Sequence, residues 1–260
     1  MASSNPVLTN LPDADAQYSQ VAYPAEVRED RPMTVDDVVA KTGITLAVIV
    51  AFAALNFFIY GSGNAGLGTI LTFGGAIAAF ITVLVHSFGR QFGNPVVTLL
   101  YAAFEGLFLG GFSFVVSGAF TVGGADAGQM IFQALLGTVG VFIGMLFVYR
   151  TGAIRVTPRF NRILTGLIFG AAIMAIGNLL LWLFTGMNPL RDGGPMSIVF
   201  GVVCVVLAAL AFLQDFDLVD KLVRTGAPAR EAWGAALGLA VTLVWLYTEI
   251  LRLLSYVNNR

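Results

Sequence analysis

The sequence predicts an all-α membrane protein of seven transmembrane helices, and three observations carry that prediction. The first is composition. Apolar residues make up 57% of the 260-residue chain and charged residues only 11%, with a mean hydropathy of +0.84. Soluble domains run at roughly 45–50% apolar and about 25% charged. With 14 basic and 15 acidic side chains, a water-soluble fold could not cover its apolar surface. The second is segmentation into apolar runs of the ~20 residues that a helix needs to cross the hydrocarbon. The third is a one-sided distribution of Lys and Arg between those runs.

Taken in order, residues 1–38 form an acidic, proline-bearing segment, with Asp13, Asp15, Glu26, Glu29, Asp30, Asp36 and Asp37. No apolar run follows a basic start, so this is no signal peptide, and its composition suits a disordered cytoplasmic tail. Thr34-Val35-Asp36-Asp37 reads as a helix start, predicting a short surface helix before the first span. The membrane domain then occupies 39–260. Its spans fall at about 42–60, 66–88, 96–118, 129–149, 162–185, 196–215 and 232–256. Short breaks such as Gly61-Ser62-Gly63-Asn64 and Asn188-Pro189-Leu190-Arg191-Asp192-Gly193-Gly194-Pro195 separate them.

Placing the N-terminus in the cytoplasm puts eleven Lys and Arg residues on that side, Arg90 and Arg150 among them. Arg191, Arg252 and Arg260 remain on the other. The positive-inside rule therefore favours a cytoplasmic N-terminus and an odd number of spans. Gly106 and Gly110, Gly140 and Gly144, and Gly166 and Gly170 each lie four residues apart, and such pairs are read as helix-packing positions.

Several function classes fail on composition. One His (His86) and one Cys (Cys204) leave no zinc cluster, iron–sulfur cluster or internal disulfide. The two lysines, Lys41 and Lys221, lie at helix ends, so no retinal Schiff base forms mid-membrane. His86 has no facing Ser motif for proteolysis, and no G-x-x-x-x-G-K-[ST] supports ATP use. We expect no enzyme, no cofactor and no nucleic-acid partner.

The ionisable residues within the spans are the functional candidates, because charges in hydrocarbon are costly. Glu105 lies mid-membrane in span three with no basic residue within a turn. It must be neutral, paired across helices or wetted by a cavity. Glu249, in span seven, has Arg252 at i, i+3, and an ion pair near the outer interface is its plain structural reading. At the end of span six, Asp217 and Lys221 are i, i+4, as are Asp220 and Arg224. Asp217 stands between surface pairing and a gating role. Asp215 points nearly opposite to Asp217 at about 100° per residue, so the two cannot share one pore face. Ionisation of a membrane carboxylate is set by dehydration against neighbouring cations. Hard cations such as Ca²⁺ prefer oxygen ligands, and Asp217 and Glu105 are the candidates for transient contact with one. Together these features suggest a cation path under pH control.

Three segments carry a resemblance. They are Tyr101-Ala102-Ala103-Phe104-Glu105-Gly106-Leu107-Phe108-Leu109-Gly110, Gln214-Asp215-Phe216-Asp217-Leu218-Val219-Asp220-Lys221, and the run from Ala235 to Leu254. In order and spacing over about 40–256, they resemble the Bax inhibitor-1/YccA-like family (the TMBIM superfamily), in its longer actinobacterial-type branch. The resemblance implies a seven-helix fold whose C-terminal helix is central and wrapped by the other six. It also implies a pH-sensitive Ca²⁺ leak, latched by two aspartates of spans six and seven that share a proton, with a span-two arginine involved. Asp217 stands at the first aspartate and Arg90 at the arginine. Thr242 stands at the second aspartate, where its hydroxyl cannot titrate in that way. Glu249 lies on nearly the same face but about 10 Å further along the axis, too far to replace that partner. Glu105 and Glu249 are left to meet in the mid-to-outer membrane.

The reading is therefore a passive, pH-modulated cation leak channel, Ca²⁺ and H⁺ being the ions concerned, in a bacterial cytoplasmic (inner) membrane. The competing reading is a non-conducting scaffold or regulator that binds another membrane protein, such as a quality-control protease. Proton-coupled transport of a small solute is a third; it needs a central pocket.

Overall fold

The structure, a computed structural model, describes residues 31–89, 92–119 and 127–258. Most of the expected tail, Arg90 and the loop 120–126 lie outside the described residues. Among the described residues seven α-helices follow one another: α1 Val35–Gly61, α2 Ala65–Phe88, α3 Pro95–Ala119, α4 Ala127–Thr151, α5 Pro158–Thr185, α6 Pro195–Arg224 and α7 Ala232–Asn258. All seven are long and apolar enough to cross a membrane. Below, the near end is the one from which α1, α3, α5 and α7 start; the far end is opposite.

Local chemistry explains where two helices outrun their apolar runs. The Thr34 hydroxyl accepts the Asp37 N–H at 3.3 Å, and the Asp37 carboxylate accepts the Thr34 N–H at 3.0 Å. This reciprocal cap starts α1 at Val35, so the short surface helix expected there and the first span are one continuous helix. α6 runs nine residues past the expected 215, to Arg224. Its last turns carry the Asp217–Lys221 and Asp220–Arg224 pairs, which stabilise a helix at i, i+4 spacing. α5 starts on Pro158 with Thr157 as its cap. It ends at Gly186, whose φ of 74° lies in the left-handed region that glycine adopts without steric cost.

The C-terminal helix is the core. Of the residues in its apolar stretch 78% are buried, against 50% in α6, 44% in α3 and at most 22% in the others. Four of its six neighbours pack closely on it. α7 packs on α6, α1, α4 and α3, while α2 packs on α3 and α1, and α5 on α6. One face of α7 (Leu237, Ala240, Val244, Tyr247, Leu251) joins Ile49 of α1, Tyr101 and Leu109 of α3 and Ala134 of α4 in an apolar cluster. The other (Ala232, Ala235, Leu239, Leu246) joins Phe212 and Phe216 of α6.

Gly106 and Gly110 are packing positions, as their spacing suggests. A Cβ at Gly110 would run into the Ala53 carbonyl oxygen of α1, and one at Gly106 into that of Ile49. The other two pairs correct the expectation. Nothing lies within 4 Å of a Cβ at Gly140, Gly144, Gly166 or Gly170, because α4 and α5 are peripheral helices with few residues buried. A polar knot also binds α1 to α2 and α3. Asn56 is fully buried, and its Nδ2 donates to the Leu107 carbonyl at 2.6 Å and to Thr72 Oγ1 at 2.9 Å. At the near end, the Met33 N–H donates to the Ala227 carbonyl at 2.7 Å. Lys41 Nζ donates to the Ala229 carbonyl and lies over the Trp233 ring.

Candidate functional site

Two hydrogen bonds fix the register of α3 against α7. Thr98 Oγ1 donates to the Trp233 carbonyl at 3.1 Å, and the Ser113 and Tyr247 hydroxyls meet at 2.8 Å. The helices therefore run parallel, and Glu105, seven residues after Thr98, is level with about residue 240. That depth is within ~3 Å of Thr242 at 1.5 Å per residue. Glu105, half-buried, lies four residues from each of the buried Tyr101 and Leu109. Among the described residues, no hydrogen bond or ion pair engages its carboxylate.

Thr242 belongs to the stripe Ala235–Leu239–Thr242–Leu246–Glu249, which faces α6. There its Oγ1 donates to Asp215 Oδ2 at 2.7 Å, while the Gly238 carbonyl, one turn back, is the weaker acceptor at 3.3 Å. Asp215 has no base within a turn of its own helix, so its partner must come from another, and α7 supplies a neutral one. Residues 240 and 242 are about 200° apart around a helix. The carboxylates of Asp215 and Glu105 thus flank the central helix on opposite sides at nearly one depth.

Asp217 is directed elsewhere. Its Oδ2 accepts from Lys221 Nζ at 2.5 Å, and neighbouring Asp220 pairs with Arg224 at 3.0 Å. Of the two aspartates around Phe216, Asp215 is the one that touches α7. Phe216 itself packs on α4, its ring 5.5 Å from that of Phe142.

Glu249 sits at the far end of the same stripe, 3% exposed. Its Oε1 accepts from Arg252 Nη1 at 2.8 Å, the i, i+3 pair expected, and lies 3.4 Å from Arg191 Nη2 of the α5–α6 connection. Both guanidiniums also face rings: Arg252 lies 5.3 Å from Phe112, and Arg191 lies 5.7 Å from Phe200. By the register above, Glu249 is about nine residues, or ~14 Å, further along α7 than Glu105. The expected meeting of Glu105 and Glu249 is therefore corrected. A parallel α3 holds them at different depths, and two arginines already satisfy Glu249.

No group of three His, Cys, Asp or Glu side chains gathers into a metal cluster among the described residues. A cavity of about 210 Å³ and another of about 100 Å³ both lie at the far end, not around mid-α7, where Ala235, Ala236, Ala240 and Leu246 are fully or nearly fully buried.

Sequence reasoning missed two features. The Asp215–Thr242 contact was open to the argument that singled out Glu105: a carboxylate with no base within a turn must find its partner across helices. Asn56 was open to the rule that an amide in an apolar span usually bridges helices. Set against known proteins, the chain matches the family model described as Bax inhibitor 1 like over residues 5–259. No curated protein and no solved structure matches it.

Proposed function

The chain belongs to the Bax inhibitor 1 like family, and from that premise we propose that it is a passive, pH-modulated cation leak, with Ca²⁺ as the favoured ion, in a bacterial cytoplasmic membrane. One observation carries the reading: among the described residues, a membrane carboxylate of α6, Asp215, is held to the central helix by nothing stronger than the Thr242 hydroxyl. An ionised carboxylate accepts such a bond strongly, because charge-assisted O–H···O⁻ contacts are about twice as strong as neutral ones. Protonation removes that advantage and loosens α6 from α7. Asp215 then takes the proton-sensing part that the resemblance gives to Asp217, and Thr242 acts as a fixed partner in place of a second titrating acid. Glu105, on the opposite side of α7 and unpaired, is the oxygen group that a dehydrated cation would meet next.

Flux tests this. Purified protein in liposomes with an entrapped Ca²⁺ indicator passes Ca²⁺ faster as the pH falls from about 8 to about 5. Glu105→Gln reduces the rate. No flux at any pH in that window would sink the leak. A membrane-protein partner that copurifies and is lost on deletion of residues 1–35 would then favour the scaffold reading.

A further inference from the structure

Beyond the leak, the far end holds a second polar site, built around Arg191. The cavity of about 210 Å³ there is lined by Ala175, Asn178, Leu179 and Trp182 of α5 and by Asn188 and Arg191 of the α5–α6 connection. Its donors outnumber its acceptors. Arg191 gives Nη2 to Glu249, but its Nη1 is buried with no hydrogen-bond partner among the described residues. Asn178 spends both ends of its amide inside the turn: Nδ2 donates to Asn188 Oδ1 at 2.5 Å, and Oδ1 accepts the Leu190 N–H at 3.1 Å. That leaves Asn188 Nδ2 and the Trp182 indole N–H without acceptors among the described residues. The adjacent acid, Asp192, is engaged by the Ser197 hydroxyl at 2.7 Å and the Gly194 N–H at 2.9 Å, and it does not line the cavity.

A buried, unsatisfied guanidinium N–H is expensive, so the set of donors calls for an anion with several acceptor oxygens. We propose that this cavity seats the phosphate of an anionic lipid headgroup. Size and position both favour a lipid. The cavity is smaller than the roughly 300–1,000 Å³ of sites that enclose a whole small molecule, yet it can take one phosphate. Its mouth is edged by Leu179 and Trp182, 56% and 51% exposed, in the last two turns of a spanning helix, the depth at which aromatic side chains meet headgroups. The lipid and Glu249 share one guanidinium, so the occupant bears directly on the central helix. This assignment does not depend on ion conduction.

The test is lipid retention by the full-length protein in detergent, read by native mass spectrometry and by thermal unfolding. Phosphatidylglycerol, diacylglycerol with the same acyl chains, and soluble glycerol phosphate are the three probes. The wild type retains and is stabilised by phosphatidylglycerol but not by diacylglycerol or by glycerol phosphate at equal concentration. Arg191→Gln weakens retention by about tenfold or more, as loss of a charged hydrogen bond implies. Because that change also removes a Glu249 partner, Trp182→Phe is the second variant; it keeps the ring, leaves Glu249 untouched, and weakens retention by a few-fold. Equal retention by wild type and both variants would mean that water alone satisfies Arg191, and would overturn the site. Diacylglycerol binding as well as phosphatidylglycerol would overturn the phosphate, and glycerol phosphate binding as well would overturn the lipid.

Discussion

Two positions on one stripe of α7 treat a carboxylate in opposite ways. At the far end Glu249 is enclosed by two guanidiniums, Arg252 at 2.8 Å and Arg191 at 3.4 Å. Seven residues earlier, Thr242 offers Asp215 a single neutral hydroxyl at 2.7 Å. Two cations pair with the first and make it part of the frame. A hydroxyl leaves the second with a contact whose strength follows its own protonation. The ion-paired frame and the proposed switch are thus separated along one helix face by about 10 Å.

The comparison breaks most visibly if the far end proves dispensable. Glu249→Gln leaves two largely buried guanidiniums without their counter-charge. Removing one partner of a buried ion pair costs about 3–5 kcal/mol. Arg191 and Arg252 keep 24% and 18% of their side chains exposed, so solvent screening brings the expected loss to about 2–3 kcal/mol. A fall in the thermal midpoint of the detergent-solubilised protein reports it. A change no larger than that of Asp217→Asn, which touches only a surface pair, would show that the far-end cluster is not structural.

The next effect is on flux rather than stability. Asp215→Asn replaces the charge-assisted contact with a neutral one and fixes the group in one protonation state. The closed arrangement is then weakened by at least about 1.4 kcal/mol, a tenfold gain in Ca²⁺ entry into liposomes at neutral pH, and the rate no longer varies between about pH 8 and about pH 5. Glu249→Gln, assayed at a temperature where it stays folded, keeps the wild-type pH profile. A flat profile from Glu249→Gln together with an unchanged one from Asp215→Asn would invert the assignment.

Thr242→Ala sharpens the same contrast with a smaller effect. It removes the hydroxyl but leaves an acid that still titrates. Flux rises a few-fold, in line with loss of a hydrogen bond worth about 1 kcal/mol, and it remains pH-dependent. Thr242→Asp puts a second acid opposite Asp215, and the pH profile then broadens into two coupled steps.

What the sequence made legible follows from the range of the forces involved. Seven spans could be counted because hydrophobic length is a local property, and the Glu249–Arg252 pair could be named because i, i+3 neighbours on a helix always meet. Contacts between helices were harder. Glu249 and Arg191 lie 58 positions apart, and only the fold of the α5–α6 connection brings them together. The choice between Asp215 and Asp217 depended on which side of α6 faces α7. The wheel shows that they diverge, and Lys221 one turn beyond Asp217 already hints that this acid belongs to the surface. The resemblance pointed to Asp217 because an aromatic residue precedes it; in the fold that aromatic, Phe216, packs on Phe142 and Tyr149 of α4. The glycines of α4 and α5 misled because a small-residue pair does not reveal whether a neighbour lies against it.

The smallest expected effect tests the premise itself, that neutral donors alone can set a carboxylate's behaviour. Asp192, outside the spans, is held by the Gly194 N–H and the Ser197 hydroxyl, and those bonds hold its carboxyl below the ordinary carboxylate range. A depressed folded value means that the ionised form is the one the fold favours. Its contribution is therefore present at neutral pH and is lost as the pH falls through the folded value. Wild type should then unfold slightly above Asp192→Asn at about pH 6, and the difference should shrink as the pH falls below the ordinary carboxylate value of about 4. Ser197→Ala should remove part of it. Because Asp192 is exposed, solvent keeps the effect small. A gap between wild type and Asp192→Asn that persists unchanged to low pH would mean that hydroxyl and amide donors do not hold this charge, and would weaken the parallel case for Thr242 and Asp215.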